Sequence, residues 1–250
     1  MISKNQIKFS RQLELKKYRK REGLFVAEGV KVVGDLLQRY QPKAVYATSE
    51  WKAPEGLSVT LVTDDELCRI SFQQHPQQVL ALFPIPSSGS ETIGLCHGLI
   101  EGHLSLALDG IQDPGNLGTI IRIADWFGIE NIYCSEDTVD AWNPKVVQAT
   151  MGSISRVNLY YINLPQMLDS LPKDYPVYGT LLDGDNIYSQ PLSQEGLIVM
   201  GNEGNGISEA VRNRINHRLL IPAFRPSDTA DSLNVAIATA ITCSEFRRRY

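Results

Sequence analysis

The strongest pattern along the chain is a set of short apolar runs, each stopped by glycine, proline or a polar turn. Leu197-Ile198-Val199-Met200 is apolar throughout, and Gly201, Gly204 and Gly206 follow it at once. Leu219 to Ile221 is a second such run, ended by Pro222, and Ser232 then opens an apolar helical stretch. Runs without alternation read as strands buried on both faces, the signature of a parallel sheet. Strand ends that meet glycines or a helix start are where open α/β sheets bind ligands. Three such ends close together in sequence predict one pocket.

The same reading from the N-terminus predicts a helix over Ser3–Lys17, with Ile7, Leu13 and Leu15 among basic residues, and a basic turn over Tyr18–Gly23. Leu24–Ala27 reads as a strand stopped by Glu28-Gly29, and Val30–Tyr40 as a helix. Ala44–Thr48, Leu57–Val62 and Val79–Ile85 read as further strands. Thr63 with Glu66 three residues on is a capping-box signature. Strands and helices that alternate in this way predict an α/β domain. The stretch 84–102 is rich in Pro, Ser and Gly and reads as a linker. It sets a boundary near residue 95, with one domain over 1–95 and a second over 96–250.

In the second domain Leu104–Leu108 predicts a buried strand, and Leu117–Phe127 an amphipathic helix stopped by Gly128 and N-capped by Asn116. Ile132–Cys134, Val157–Ile162 and Val177–Leu182 predict strands. Leu164–Leu171 predicts a helix, and Asn143-Pro144-Lys145 starts a short one with Pro144 where its missing N–H costs nothing. Gly152–Arg156 reads as a polar loop.

Composition narrows the class. The 250 residues, 43% hydrophobic and 21% charged, match an ordinary globular protein of one large or two smaller domains. No apolar run reaches the ~20 residues of a membrane span. Met1–Arg21 lacks the apolar segment of a secretory signal. Cys68, Cys96, Cys134 and Cys243 are scattered without a C-x-x-C pair, and the four histidines do not cluster. That argues against a zinc site or a disulfide framework and for a reducing, cytoplasmic setting. Net charge is −4, but residues 1 to 31 hold nine lysines and arginines against three glutamates, a balance of +6 that leaves −10 for the rest. This asymmetry points to an anionic partner at the N-terminal end, against the plainer alternative of a solvated basic helix.

Two features carry possible chemistry. Arg122 sits in an otherwise apolar helix, where it either reaches an anion or carboxylate or extends to solvent. Gly201-Asn202-Glu203-Gly204-Asn205-Gly206 is neither G-x-G-x-x-G nor a Walker A loop, which disfavours a dinucleotide enzyme and a P-loop NTPase.

Asn116-x5-Arg122 after a strand, Gly201-x-Glu203-x2-Gly206 after a strand, and Ile221-Pro222 followed by Ser232-Leu233-Asn234-Val235 together resemble the three motifs of the SpoU family. These are S-adenosylmethionine-dependent RNA ribose 2′-O-methyltransferases of the SPOUT class. Phe25-Val26-Ala27-Glu28-Gly29, after basic residues, resembles the small substrate-binding domain that many members carry, itself similar to kink-turn-binding ribosomal proteins. The resemblance covers nearly the whole chain. It implies a parallel sheet whose C-terminal segment threads a loop in a deep trefoil knot, an arrangement rare elsewhere. It implies an S-adenosylmethionine site of Thr180, Leu181, Gly201, Gly206, Ile221 and Leu233. Arg122 would activate the ribose hydroxyl, with Asn116, Glu203, Ser232 and Asn234 orienting it and the ribose. Lys4, Arg11, Lys17, Arg19, Lys20 and Arg21 would meet structured RNA, ribosomal rather than transfer RNA, and the enzyme would be a metal-free homodimer. Ala223–Asp231 is longer than the matching interval of the commonest members, and Ala236 stands where many have serine. A ribosome-assembly factor with this fold but little turnover is the alternative reading.

Overall fold

The computed structural model describes residues 2–86, 102–224 and 232–248. They fall into two compact units: Met1–Ser87 with Asp140–Ser155, and Ser88–Val139 with Arg156–Tyr250. The expected boundary near residue 95, most of the 84–102 linker and most of the 223–231 loop lie outside the described residues. The segment 140–155 joins the first unit, which a boundary set by composition alone does not anticipate.

In the first unit the basic N-terminal stretch forms two helices, α1 (Lys4–Gln12) and α2 (Lys16–Glu22), not one helix and a turn. The break lies where Leu13 turns inward and becomes fully buried. Ser3 and Gln6 cap each other at the start of α1. The sheet runs β1 (Leu24–Glu28), β4 (Val79–Pro84), β2 (Ala44–Ala47), β3 (Thr60–Leu61). β4 is antiparallel to both neighbours, and β3 lies parallel to β2 at the edge. β3 is shorter than the expected Leu57–Val62, and Leu57 belongs instead to the Pro54-Glu55-Gly56 turn, closed by Leu57 N–H on the Pro54 carbonyl at 3.2 Å. Helix α3 (Val30–Leu37) follows β1. Helix α4 (Asp64–Ile70) starts at the capping box of Thr63 and Glu66. Leu13, Val26, Tyr46, Leu67, Ile70, Leu80 and Leu82 share one core.

The second unit is built on a six-stranded sheet with every neighbouring pair parallel, in the order β10 (His217–Leu220), β8 (Val177–Asn186), β9 (Gly196–Gly201), β5 (Leu104–Asp109), β6 (Asn131–Cys134), β7 (Asn158–Tyr161). β5 and β9 are buried along their whole length, as their unbroken apolar runs require. Helix α5 (Pro114–Trp126) follows β5. A short α6 (Pro144–Ala149), capped by Asn143, belongs to the first unit, and a 3₁₀ turn replaces the expected loop at Ser153–Ser155. Then come α7 (Leu164–Asp169), α8 (Glu209–Arg212) and α9 (Val235–Arg247), the last packed on α5.

One irregularity shapes the site. β10 pairs His217 with Tyr178 and Arg218 with Gly179, then jumps to Leu219 with Asp185 and Leu220 with Asn186. Residues 180 to 184 of β8 are skipped and pushed out of the ladder. β8 therefore does not stop at Asp183-Gly184 but resumes beyond them. A Cβ at Gly184 would stand 2.6 Å from the Leu219 carbonyl carbon, so only glycine lets the two backbones pass this closely.

Candidate functional site

The C-terminal ends of β8, β9 and β10 open onto one cleft of about 640 Å³. The skipped residues Thr180 to Asp183 form one wall, the glycine loop after β9 a second, and Leu219 to Ile221 with Ser232, Leu233, Val235 and Ala238 much of the remainder, with Arg212 also on the lining. Every residue proposed from the sequence as cofactor-binding lies on this lining: Thr180, Leu181, Gly201, Gly206, Ile221 and Leu233. The volume and the mixture of aliphatic wall with exposed backbone suit a small organic ligand.

The glycine loop is a tight hairpin. Asn202 N–H donates to the Gly206 carbonyl at 2.9 Å and Gly206 N–H returns to the Asn202 carbonyl at 3.0 Å. Asn202 Oδ1 accepts from the Gly204 and Asn205 amides at 2.9 and 3.0 Å, while its Nδ2 donates to the Gly110 carbonyl at 2.6 Å. Asn202 thus shapes the loop and ties it to the end of β5. Asp109 completes the tie by accepting from Ser208 N–H at 2.7 Å. A Cβ at Gly201 would sit 2.3 Å from the Ile207 nitrogen, so the return strand of the hairpin occupies the space of a side chain.

Above the loop three motif residues meet. Asn116 Nδ2 donates to Glu203 Oε1 at 3.0 Å, and Asn234 Nδ2 donates to Asn116 Oδ1 at 2.9 Å. Asn116 is not the helix cap. Pro114 occupies the first helical position, which places the cap at Asp113, whose Oδ1 accepts from Asn116 N–H at 2.8 Å. This frees the Asn116 side chain to bridge the other two. Asn234, not Ser232, starts α9: its Oδ1 accepts from Ala236 and Ile237 N–H at 3.0 and 3.3 Å, which fixes the direction of its amide. Glu203 also faces the Gln112 and Asp113 amides at 3.5 and 3.4 Å. A helix N-terminus beside a carboxylate is a favourable electrostatic arrangement.

Arg122 stands apart. It is exposed on α5, does not line the cleft, and pairs with no carboxylate among the described residues. Of the two readings open from the sequence, the structure gives extension to solvent. Ser232 lines the cleft without joining the Asn116 bridge. Among the described residues no group of three His, Cys, Asp or Glu side chains could hold a metal ion. Burial pushes the thiol of Cys243 up to about 12 and that of Cys134 higher still, so neither offers a thiolate at neutral pH. No described helix is long and apolar enough to cross a membrane.

The basic residues of the first unit divide into two kinds. Lys4, Lys17, Lys20 and Arg21 are exposed, and Lys17 and Arg21 each lie against the Tyr18 ring, 4.9 and 4.8 Å from its centroid. Arg11 is exposed but stacks on Phe72 at 4.8 Å and donates to the Ser71 carbonyl. Arg19 leaves the candidate set. It is 2% exposed, bonds Asp140 through Nε at 3.0 Å and the Leu13 and Glu14 carbonyls at 2.8 and 2.6 Å, and has no surface to offer a polyanion.

Sequence reasoning missed Asp109, Asn202, Asp183 and Arg212. Only Asn202 carried a local signal, an Asn two residues before a glycine, which favours a turn closed by its own side chain.

Comparison with known proteins adds to this geometry. Residues 103–244 match the profile described as the SpoU rRNA Methylase family, and residues 4–81 that of the MRM3-like substrate binding domain. The chain is 31% identical over 255 residues to the 23S rRNA (guanosine(2553)-2′-O)-methyltransferase RlmP of Bacillus subtilis, covering 98% of this chain and 97% of that one. A Porphyromonas gingivalis structure assigned to the TrmH family of RNA methyltransferases superposes with a TM-score of 0.88 at 42% identity, over the full length of both chains. An AdoMet-bound rRNA methyltransferase from Sinorhizobium meliloti superposes with a TM-score of 0.84 at 29% identity, over 100% of this chain and 97% of that one.

Proposed function

Because the chain belongs to the SpoU rRNA methylase family, we propose that it transfers a methyl group from S-adenosylmethionine to a ribose 2′-hydroxyl of ribosomal RNA. The observation that carries this reading is the Asn116 side chain bonded at once to Glu203 and Asn234, which joins all three motifs beside a glycine-walled cleft. S-Adenosylmethionine, when bound, supplies a methyl group on a positively charged sulfur. The protein's groups fit it: Gly201 leaves no side chain in the wall, Leu181, Leu220 and Leu233 offer apolar surface for a nucleoside, and Glu203 brings negative charge toward a cationic centre.

On this reading Asn116, Glu203, Ser232 and Asn234 fix the position of the ribose. Arg122 assists the hydroxyl as it loses its proton. A guanidinium stays protonated, so it acts by positioning and by stabilising developing negative charge rather than as a base. Arg122 is exposed and does not line its own cleft, and Trp126, 84% exposed, lies one turn further on the same face of α5. A second copy of the chain covering this face would bury Trp126 and bring Arg122 to a cleft, which supports a homodimer. The exposed Lys4, Lys17, Lys20 and Arg21 then supply contacts to the RNA backbone. The threading of the chain after β10 through the 180–184 excursion, as a trefoil knot, is the reading of the register jump and of the close pass at Gly184. The setting that suits an RNA substrate and the unpaired Cys68, Cys134 and Cys243 is the cytoplasm.

Calorimetry on the whole protein should show S-adenosylmethionine or its demethylated product binding at one per chain; preference for NAD or ATP would remove the assignment. Gly201→Ala should keep the protein folded, since the change is local to the hairpin, but weaken cofactor binding about tenfold or more. Forcing a methyl into a filled space costs ~1–3 kcal/mol, and here the displaced atoms belong to the cleft wall. Unchanged affinity in that variant would show that the loop does not line the cofactor. Mapping ribose methylation in RNA from a strain lacking the gene identifies the nucleotide; loss of a site in transfer RNA alone would overturn the choice of ribosomal RNA.

A further inference from the structure

Asp183 lies in the 180–184 excursion that walls the cleft, and it holds two arginines. Its Oδ2 accepts from Arg212 Nη2 and faces Arg218 Nη1 at 3.5 Å. Arg212 comes from α8, just after the glycine loop, and Arg218 from β10. One carboxylate between two guanidiniums leaves a surplus of one positive charge at this end of the cleft. The charged residues on the lining are Asp183, Glu203 and Arg212, and Glu203 is engaged by Asn116. Arg212 is therefore the cationic side chain of the wall. It commits Nη2 to Asp183, while among the described residues its Nε and Nη1 bind nothing. A pair this open to water adds little to stability, so stability does not account for the arrangement.

We propose that Arg212, held in place by Asp183, binds the carboxylate of the cofactor's amino-acid tail; this rests on the cofactor reading above. The adenosine part of the ligand is uncharged and suits the aliphatic wall. The tail ends in a carboxylate, which needs charge-assisted donors once it leaves bulk water, and a planar guanidinium supplies them in a fixed fork. Asp183 acts as a positioning residue: by occupying one nitrogen it aims the remaining donors. The cleft then carries both signs of charge, Glu203 beside Asn116 and the surplus positive charge where Asp183 holds Arg212 and Arg218.

The test separates the tail from the nucleoside. S-Adenosylhomocysteine carries the amino-acid tail, and methylthioadenosine is the same nucleoside without it. Titration calorimetry on the full-length protein should show the wild type preferring S-adenosylhomocysteine by about tenfold or more. Arg212→Ala should lower that affinity about tenfold and leave methylthioadenosine binding within about twofold, while Arg212→Lys falls between. Added salt should weaken S-adenosylhomocysteine binding in the wild type and not in Arg212→Ala. Unchanged S-adenosylhomocysteine affinity in Arg212→Ala would overturn the proposal. An equal loss for both ligands would also overturn it, because it would make Arg212 a support of the cleft's shape. A wild type that binds neither compound would instead overturn the cofactor reading, and would be seen before any variant was made.

Discussion

Arg122→Ala is expected to leave the protein folded and able to bind S-adenosylmethionine while methyl transfer falls about 10²–10³-fold. The fold should tolerate the change because Arg122 is exposed and no carboxylate among the described residues pairs with it, so it contributes packing only through its stem. Exposed substitutions of this kind usually shift stability by no more than ~0.5 kcal/mol. Its absence from the cleft lining predicts an intact cofactor affinity. The rate loss follows if the guanidinium meets the reacting ribose: one well-placed electrostatic group in a water-poor site is worth ~10²–10³ in rate. Arg122→Lys should not restore the rate fully, since an ammonium lacks the planar fork. The checks are tritiated methyl transfer to RNA lacking the modification, a thermal melt, and cofactor calorimetry on the same preparations. Near-normal transfer in Arg122→Ala would take Arg122 out of the mechanism and leave Glu203 as the next candidate. A melt lowered by several degrees would show a structural role that its exposure does not predict.

The cleft was legible in the sequence because its walls are strand ends. An unbroken apolar run must be buried on both faces, and Gly201, directly after Met200, marks where the chain leaves such a strand through a space too small for a side chain. The three-way bond of Asn116 was half legible. Its position after a strand and before a helix suggested capping, and the proline two residues earlier moves that duty to Asp113. The bulge in β8 was not legible: Asp183-Gly184 looks like the end of a strand, and the pairing that resumes at Asp185 depends on β10, more than thirty residues later. Arg212 was invisible for the same reason. It reads as one more charge on a short polar helix until the fold lays it on the cleft wall in contact with Asp183. The resemblance of motifs supplied roles that neither periodicity nor composition could, above all for Arg122.

Arg19 is the clearest case of a charge whose sequence context misleads, and its substitution carries the largest expected cost in stability. In Lys16-Lys17-Tyr18-Arg19-Lys20-Arg21-Glu22 it looks like one of five equivalent cations on a helix for RNA. Yet its guanidinium is buried against Asp140 and two backbone carbonyls, so it joins α2 to the 140–155 segment inside the first unit. Arg19→Ala would leave the Asp140 carboxylate, 14% exposed, without its cation and two carbonyls without donors. Breaking a buried pair from one side costs ~3–5 kcal/mol, a fall of roughly 6–20 °C in melting temperature for a chain of this size. Arg19→Ala with Asp140→Leu should recover part of that loss, because no buried charge is then left alone. Lys17→Ala and Lys20→Ala, both exposed, should melt within a degree or two of the wild type. Those two should instead weaken RNA binding and lower the salt dependence of the affinity by about one counterion for each phosphate that is no longer neutralised. The same geometry rules out deletion of residues 1–95 as a clean test of RNA binding, since it would strip Asp140 and Trp142 of Arg19 and Phe25. Thermal melts of the four variants, with RNA affinity at two salt concentrations, separate the two kinds of basic residue. A stable Arg19→Ala that loses RNA affinity as Lys20→Ala does would return Arg19 to the RNA surface and contradict its burial.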